Sequence, residues 1–185
     1  MVRAEGAAAK RCREGSEAMT IARFRTTIPG EAGEIMLTYD IPLPVWCQLF
    51  DHCVQARDET GGMLTGRMLG DGHAMLTGIT LFDELEENTP GSILLPDGWD
   101  DNLPADFQGT WHTHPEPSPP SIQDINHLLC LMHDGFWPIM LVLCRRKQLF
   151  RRAICEPGCY IGVSAPGTPL VYELHFDGIY PEAEE

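Results

Sequence analysis

Residues 106–124 impose three structures in close succession: an extended segment, a proline-rich turn and the start of a helix. In the run Asp106-Phe107-Gln108-Gly109-Thr110-Trp111-His112-Thr113-His114, an extended chain puts alternate side chains on the same face, so His112 and His114 can converge on one point. Pro115 stops the strand, and Pro117, Pro119 and Pro120 keep the chain extended until Ser121, a residue type suited to cap a helix. Asp124 then falls in the first helical turn.

Two imidazoles and a carboxylate are three nitrogen and oxygen donors, the number that leaves the fourth tetrahedral position of zinc open for water. An open position distinguishes a catalytic zinc from a structural one. Each part also has a plainer reading. Ser121-x-x-Asp124 fits a capping box, with Asp where Glu or Gln is usual, and His-x-His on a strand is commoner as surface or core histidine than as a ligand pair. Their joint occurrence across strand, turn and helix cap favours the metal site.

His112-Thr113-His114-Pro115 followed by Ser121-x-x-Asp124 resembles the JAMM (MPN+, JAB) signature, with six residues between His114 and Ser121 where the usual pattern has seven. The family also carries an upstream glutamate in a Glu-Thr-Gly-Gly-like segment, which Glu59-Thr60-Gly61-Gly62 matches, so the resemblance spans roughly residues 40–160. It implies that His112, His114 and Asp124 bind zinc, that Glu59 is the general base, and that Ser121 helps stabilise the tetrahedral intermediate. The chemistry agrees. Bound zinc lowers the pKa of water from about 15.7 toward about 7, and a nearby carboxylate can carry the proton to the leaving amine. One oxyanion donor such as the Ser121 hydroxyl is typically worth about 2.7–4 kcal/mol.

The rest of the chain reads as one JAB/MPN-like α/β domain over residues 19–185, a curved mixed β-sheet flanked by helices. Hydrophobic residues make up 43% and charged residues 22% of the sequence, ordinary for a soluble globular protein. Strands are expected near 34–39, 61–68, 73–82, 106–114, 138–145, 149–155 and 170–176, and helices near 44–57 and 121–134. The unbroken apolar run Pro138-Ile139-Met140-Leu141-Val142-Leu143-Cys144 suits a strand buried on both faces, central in the sheet beside the histidine strand. Val45, Trp46, Leu49, Phe50, Cys53 and Val54 fall at helical spacing, so Asp58 and Glu59 follow a helix C-terminus, where acids are mildly unfavourable and local propensity does not account for them.

Residues 1–18 carry Ala, Gly and charge with no apolar run; they suit a disordered segment and cannot form a signal peptide's hydrophobic region. Residues 83–104 read as an acidic loop inserted before the histidine strand, either a solvated connector or a substrate grip. The formal net charge is −14; without residues 1–18, 9 basic and 24 acidic residues remain, a net −15. Such a charge repels phosphate backbones and argues against nucleic acid as partner. No apolar stretch approaches the roughly 20 residues of a membrane span. The seven cysteines have no regular spacing and read as reduced thiols of a cytoplasmic protein, with Cys130 and Cys144 in the core. His127, three residues after Asp124, could support the ligands.

What the resemblance implies for function is a zinc-dependent isopeptidase or peptidase cleaving after the C-terminal tail of a ubiquitin-like protein, by deconjugation or precursor processing. Compact bacterial JAB proteins are similar in size; they often accompany E1-like, E2-like or ubiquitin-like proteins, some in anti-phage defence. Alternatives are a JAB peptidase of a sulfur-carrier or cysteine-adduct pathway, a non-catalytic MPN scaffold, and a cysteine hydrolase pairing a Cys with a His.

Overall fold

A computed structural model of the chain describes residues 20–30, 33–70, 72–82, 87–89, 92–95, 98–101, 103–116, 118–132, 138–147, 153–165 and 168–181. The segment 1–18 lies outside them, as do parts of the acidic stretch 83–104 and most of the strand expected at 149–155.

Ten strands and two helices are found among these residues: β1 Thr20–Gly30, β2 Gly33–Pro42, α1 Leu43–Gln55, β3 Gly61–Gly70, β4 His73–Leu81, β5 Glu87–Thr89, β6 Ser92–Leu94, β7 Phe107–His114, α2 Ile122–Cys130, β8 Ile139–Lys147, β9 Ala153–Ala165 and β10 Thr168–Pro181. Eight of the strands close into a barrel in the order β1-β10-β9-β8-β7-β3-β4-β2, and β5 and β6 form a separate two-stranded ribbon. The expected α/β architecture, a curved sheet flanked by helices, is therefore corrected.

The closure depends on β1, a strand the sequence reading did not anticipate. It pairs antiparallel with β2 on one side and β10 on the other, removing the free edge an open sheet would have. Ile21, Ala22, Phe24 and Ile28 are its buried residues, but Arg23, Arg25 and Pro29 blur the alternation, and the register with β10 shifts between Arg23 and Phe24. On the other side of β2, a short parallel pairing of Thr38–Asp40 with His73–Met75 completes the ring.

That seam is tied by a buried charge. Asp40 is 1% exposed and accepts from Arg23 Nε and Nη2, each at 2.6 Å, with His73 Nε2 at 2.9 Å from its Oδ2. Burial opposes ionisation of Asp40, but the bonds from Arg23 and His73 outweigh it and hold the carboxyl below its usual range. The Arg23 guanidinium also lies over the Tyr180 ring of β10, 5.2 Å from its centroid.

The second departure concerns α1. Pro44 in its first turn fits a position whose N–H needs no partner, and Val45, Trp46, Leu49 and Cys53 form its buried face. They share one core with Phe24, Leu37, Ile41, Leu64, Leu76, Trp111, Leu141 and Leu174. α1 touches β1, β2, β4, β7, β8 and β9, so its buried face packs against strands around the barrel's ring while Pro44, Gln48, Asp51 and Gln55 stay exposed. Trp111 is wholly buried there, its Nε1 donating to the Thr80 carbonyl at 3.3 Å.

The apolar run Ile139–Leu143 behaves as expected. It forms β8 beside β7 in parallel pairing, with Ile139, Leu141 and Leu143 in the barrel core and Met140 and Val142 in a smaller outer cluster with Leu128 of α2. The β7–α2–β8 unit is thus a parallel crossover whose helix packs on the outside of the barrel. Among the described residues no helix is long and apolar enough to cross a membrane.

The cysteine reading is corrected in part. Cys53, Cys130, Cys144 and Cys159 are free, while Cys47 is disulfide-bonded. Cys130 is exposed at the end of α2 and Cys144 is half-buried, so neither is a core residue.

Candidate metal centre

Three strands meet on the outer face of the barrel in cross-strand rows. Gly61 of β3, His112 of β7 and Val142 of β8 form one row; Met63, Thr110 and Met140 form the next. Beyond Gly61 the pairing continues through Thr60, whose carbonyl accepts from Thr113 N at 2.8 Å and whose N–H donates to Thr113 Oγ1 at 3.1 Å. The inward Thr113 therefore fixes the chain just before β3 and turns Glu59 toward His114. Glu59 is 8% exposed, and its Oε1 stands 3.9 Å from His114 Nε2. Glycines allow this closeness. A Cβ on Gly61 would lie 2.7 Å from the Trp111 carbonyl oxygen and 3.1 Å from the His112 Cβ.

At the end of β7, two-residue periodicity puts His112 and His114 on one face, with Nε2 atoms 3.0 Å apart. Asp124 arrives from α2. Ser121 is the N-cap; its Oγ accepts from Asp124 N at 3.1 Å, and Asp124 Oδ2 accepts from Ser121 N, a complete capping box. The two readings of this motif are therefore compatible: the box orients a carboxylate whose Oδ1 is 3.3 Å from His112 Nε2 and whose Oδ2 is 3.6 Å from His114 Nε2.

His112, His114 and Asp124 could hold a metal ion, their donor atoms all lying within 4.8 Å of one another. Donors bound at about 2.0–2.2 Å to one tetrahedral ion stand about 3.3–3.6 Å apart. The two imidazole nitrogens at 3.0 Å, with one Asp124 oxygen 3.3 Å from His112 and the other 3.6 Å from His114, lie close to that spacing, so the donor types and their approach fit such an ion. The other nitrogen of His114 is fixed too: Nδ1 is 2.8 Å from Ser118 Oγ and 3.2 Å from the Ser118 carbonyl, which also accepts from Cys144 Sγ at 3.0 Å. Such an outer partner sets the ring orientation and aims Nε2 at the ion.

The charges follow from burial and neighbours. Burial disfavours the Asp124 carboxylate, but hydrogen bonds from His112 and His114 outweigh it and hold its pKa far below the usual range. His114 is also opposed by burial, yet its bonds to Asp124, Cys144 and Ser118 and the charge of Glu59 raise its pKa. At Glu59 burial wins over the pull of His114 and His112, and the carboxyl pKa is raised. A raised carboxyl pKa makes Glu59 a stronger base toward a water proton.

The donors open on a cleft of about 440 Å³ between the barrel, α2 and the 82–100 stretch, lined by Glu59, His112 and Asp124 together with Phe82, Trp99 and His127. Trp99 stacks on His127 at 5.2 Å and meets the Phe82 edge at 5.4 Å. Of the acidic stretch, Ile93, Leu95, Gly98, Trp99 and Asp100 thus line the cleft.

All five residues expected from the sequence come together. Glu59, His112 and Asp124 line the cleft; His114 is buried behind them with its Nε2 3.0 Å from that of His112, and Ser121 is exposed at the helix cap and does not line it. Ser118, Thr60 with Thr113, and Trp99 were not singled out. Ser118 is the one hydroxyl in the proline-rich turn and Trp99 the one aromatic in the acidic stretch, the available signals for both. Among the described residues, no free cysteine lines the cleft.

A comparison with protein-family models finds no match, and a comparison with curated proteins likewise finds none.

Proposed function

We propose that the chain is a zinc-dependent peptidase or isopeptidase that cleaves after the C-terminal tail of a ubiquitin-like protein, releasing it from a conjugate or a precursor. The observation that carries the reading is the Glu59 carboxylate, buried beside His114 at the edge of a two-histidine, one-aspartate donor set. A structural metal site needs no further buried carboxylate beside its ligands. Function lives in such sites and not in the fold that bears them, so the closed barrel leaves the proposal standing. The resemblance of the site residues to the JAMM signature supports zinc as the ion and a ubiquitin-like tail as the substrate; imidazole and carboxylate ligands suit zinc.

His112, His114 and Asp124 would hold the ion. A zinc there would supply Lewis acidity toward the scissile carbonyl and toward water. Glu59 takes the proton of the attacking water at Oε1 and returns it to the departing amine, which leaves neutral. Ser118 keeps the His114 ring in place, the Ser121 cap keeps Asp124 in place, and Trp99 with His127 shields one side from solvent. Partners in keeping with the reading are ubiquitin-like conjugates and their E1-like and E2-like enzymes, with no nucleic acid and no membrane.

The test is cleavage of a ubiquitin-like C-terminal fusion by zinc-loaded protein, native against Glu59→Gln. Turnover by native alone, abolished by a chelator, supports the proposal. Failure of native protein on every ubiquitin-like fusion and conjugate sinks it, and inhibition by thiol reagents with indifference to chelators would favour a cysteine hydrolase.

A further inference from the structure

Beyond the metal donors, the same face of β7 continues to Thr110, which precedes His112 by one strand repeat, about 6.8 Å. Thr110 is 3% exposed and lines the cleft, yet its hydroxyl has no hydrogen-bond partner. A buried hydroxyl is seldom left so, and one beside an open cleft marks a place where a ligand group completes the bond.

Apolar side chains line the cleft together with Thr110, beside the polar Asp100, Gln123 and His127. Met140 lies beside Thr110 on β8, Ile93 and Leu95 come from the β6 stretch, and Phe82 and Trp99 close the side. Trp99 is held by an edge contact to Phe82 and a stacking contact to His127, so this wall is set before a ligand arrives. A ligand cleft combines apolar walls with a few placed polar groups, and the whole cleft, metal donors included, measures about 440 Å³, within the usual range of such sites.

We infer that this end of the cleft is a substrate subsite that takes a large aliphatic or aromatic side chain about two residues from the bond cleaved, with the Thr110 hydroxyl bonding the substrate backbone beside it. The spacing follows from the strand repeat, because an extended substrate advances at the same rate as β7. Glycine at that position leaves the walls of Phe82, Trp99 and Met140 in contact with water; leucine or phenylalanine covers them. The inference rests on the peptidase reading for its kinetics and on the pocket alone for binding.

Two measurements test it. The first is kcat/KM of zinc-loaded protein on ubiquitin-like fusions carrying Gly, Ser, Leu or Phe two positions before or after the bond, where a preference of about tenfold or more for Leu or Phe over Gly is expected. The second is binding of N-acetyl-leucinamide, N-acetyl-phenylalaninamide and N-acetyl-glycinamide to Glu59→Gln protein, followed by NMR shifts of Thr110 and Trp99. Trp99→Ala should remove the preference, and Thr110→Val should weaken every substrate by a similar factor while keeping it. A Leu or Phe preference in either measurement supports the subsite, even if no fusion is cleaved; in that case the peptidase reading fails by itself. Cleavage with equal rates for Gly, Leu and Phe, together with no amide preference, overturns the subsite and leaves the peptidase standing. No cleavage and no amide preference overturns both.

Discussion

Thr113 and Thr60 form a paired contact: the Thr113 N–H donates to the Thr60 carbonyl at 2.8 Å, and the Thr60 N–H donates to the Thr113 hydroxyl oxygen at 3.1 Å. Through it the residue between the two histidines holds the segment that carries Glu59. Thr113→Val keeps the shape of the side chain and removes the hydroxyl. Metal content should stay at the native level while turnover falls on the order of 10- to 100-fold, since a displacement of about 1 Å can cost about 10²-fold. Metal analysis beside steady-state kinetics checks this, and equal loss of both would show that the contact supports the ligands instead.

Ser121→Ala removes the cap that orients Asp124. Stability should drop by about 1 kcal/mol, as for other cap deletions, and turnover should fall more than metal content does. Urea denaturation and metal analysis separate the two effects.

Gly109 sits at φ +150°, where a Cβ would lie 1.8 Å from the Ile139 carbonyl oxygen. Gly109→Ala must strain its backbone or part β7 from β8, and we expect a loss of at least about 2 kcal/mol. The urea midpoint should fall with little change in slope.

The barrel seam predicts an acid limit. Because the folded state holds the Asp40 carboxyl below its ordinary pKa, its stabilisation is fully present above the unfolded value of about 3.9. It is lost as pH falls through the lower folded value. Unfolding free energy should therefore decline with acidification below about pH 4, and Asp40→Asn should flatten that decline. The same substitution at neutral pH leaves Arg23 without its buried partner, at a cost of about 3 kcal/mol. Denaturation curves across pH would show an unchanged acid decline in the variant if Asp40 were not responsible.

The site was more legible than the fold. His112 and His114 share a face because strands alternate, and Ser121 with Asp124 marks a helix start by its own side-chain chemistry; both are local rules. Glu59 required the family resemblance, since only the pairing of β3 with β7 brings it beside His114. The barrel was missed because closure is a non-local event. Arg23, Arg25 and Pro29 hid β1, and nothing in the pattern of α1 tells whether Trp46 and Leu49 face one layer of strands or a ring of them. Cys144 looked like core because it ends an apolar run, although its place beside Ser118 is on the outer face.

The central claim is that His112, His114 and Asp124 hold one catalytic ion that works with Glu59. Metal per chain, measured by elemental analysis on native, Glu59→Gln and His114→Ala proteins and set beside cleavage of a ubiquitin-like fusion, tests it most directly. The account predicts about one zinc in native and Glu59→Gln, none in His114→Ala, and cleavage by native alone. Undiminished cleavage by Glu59→Gln, or no metal in any of the three, would contradict it.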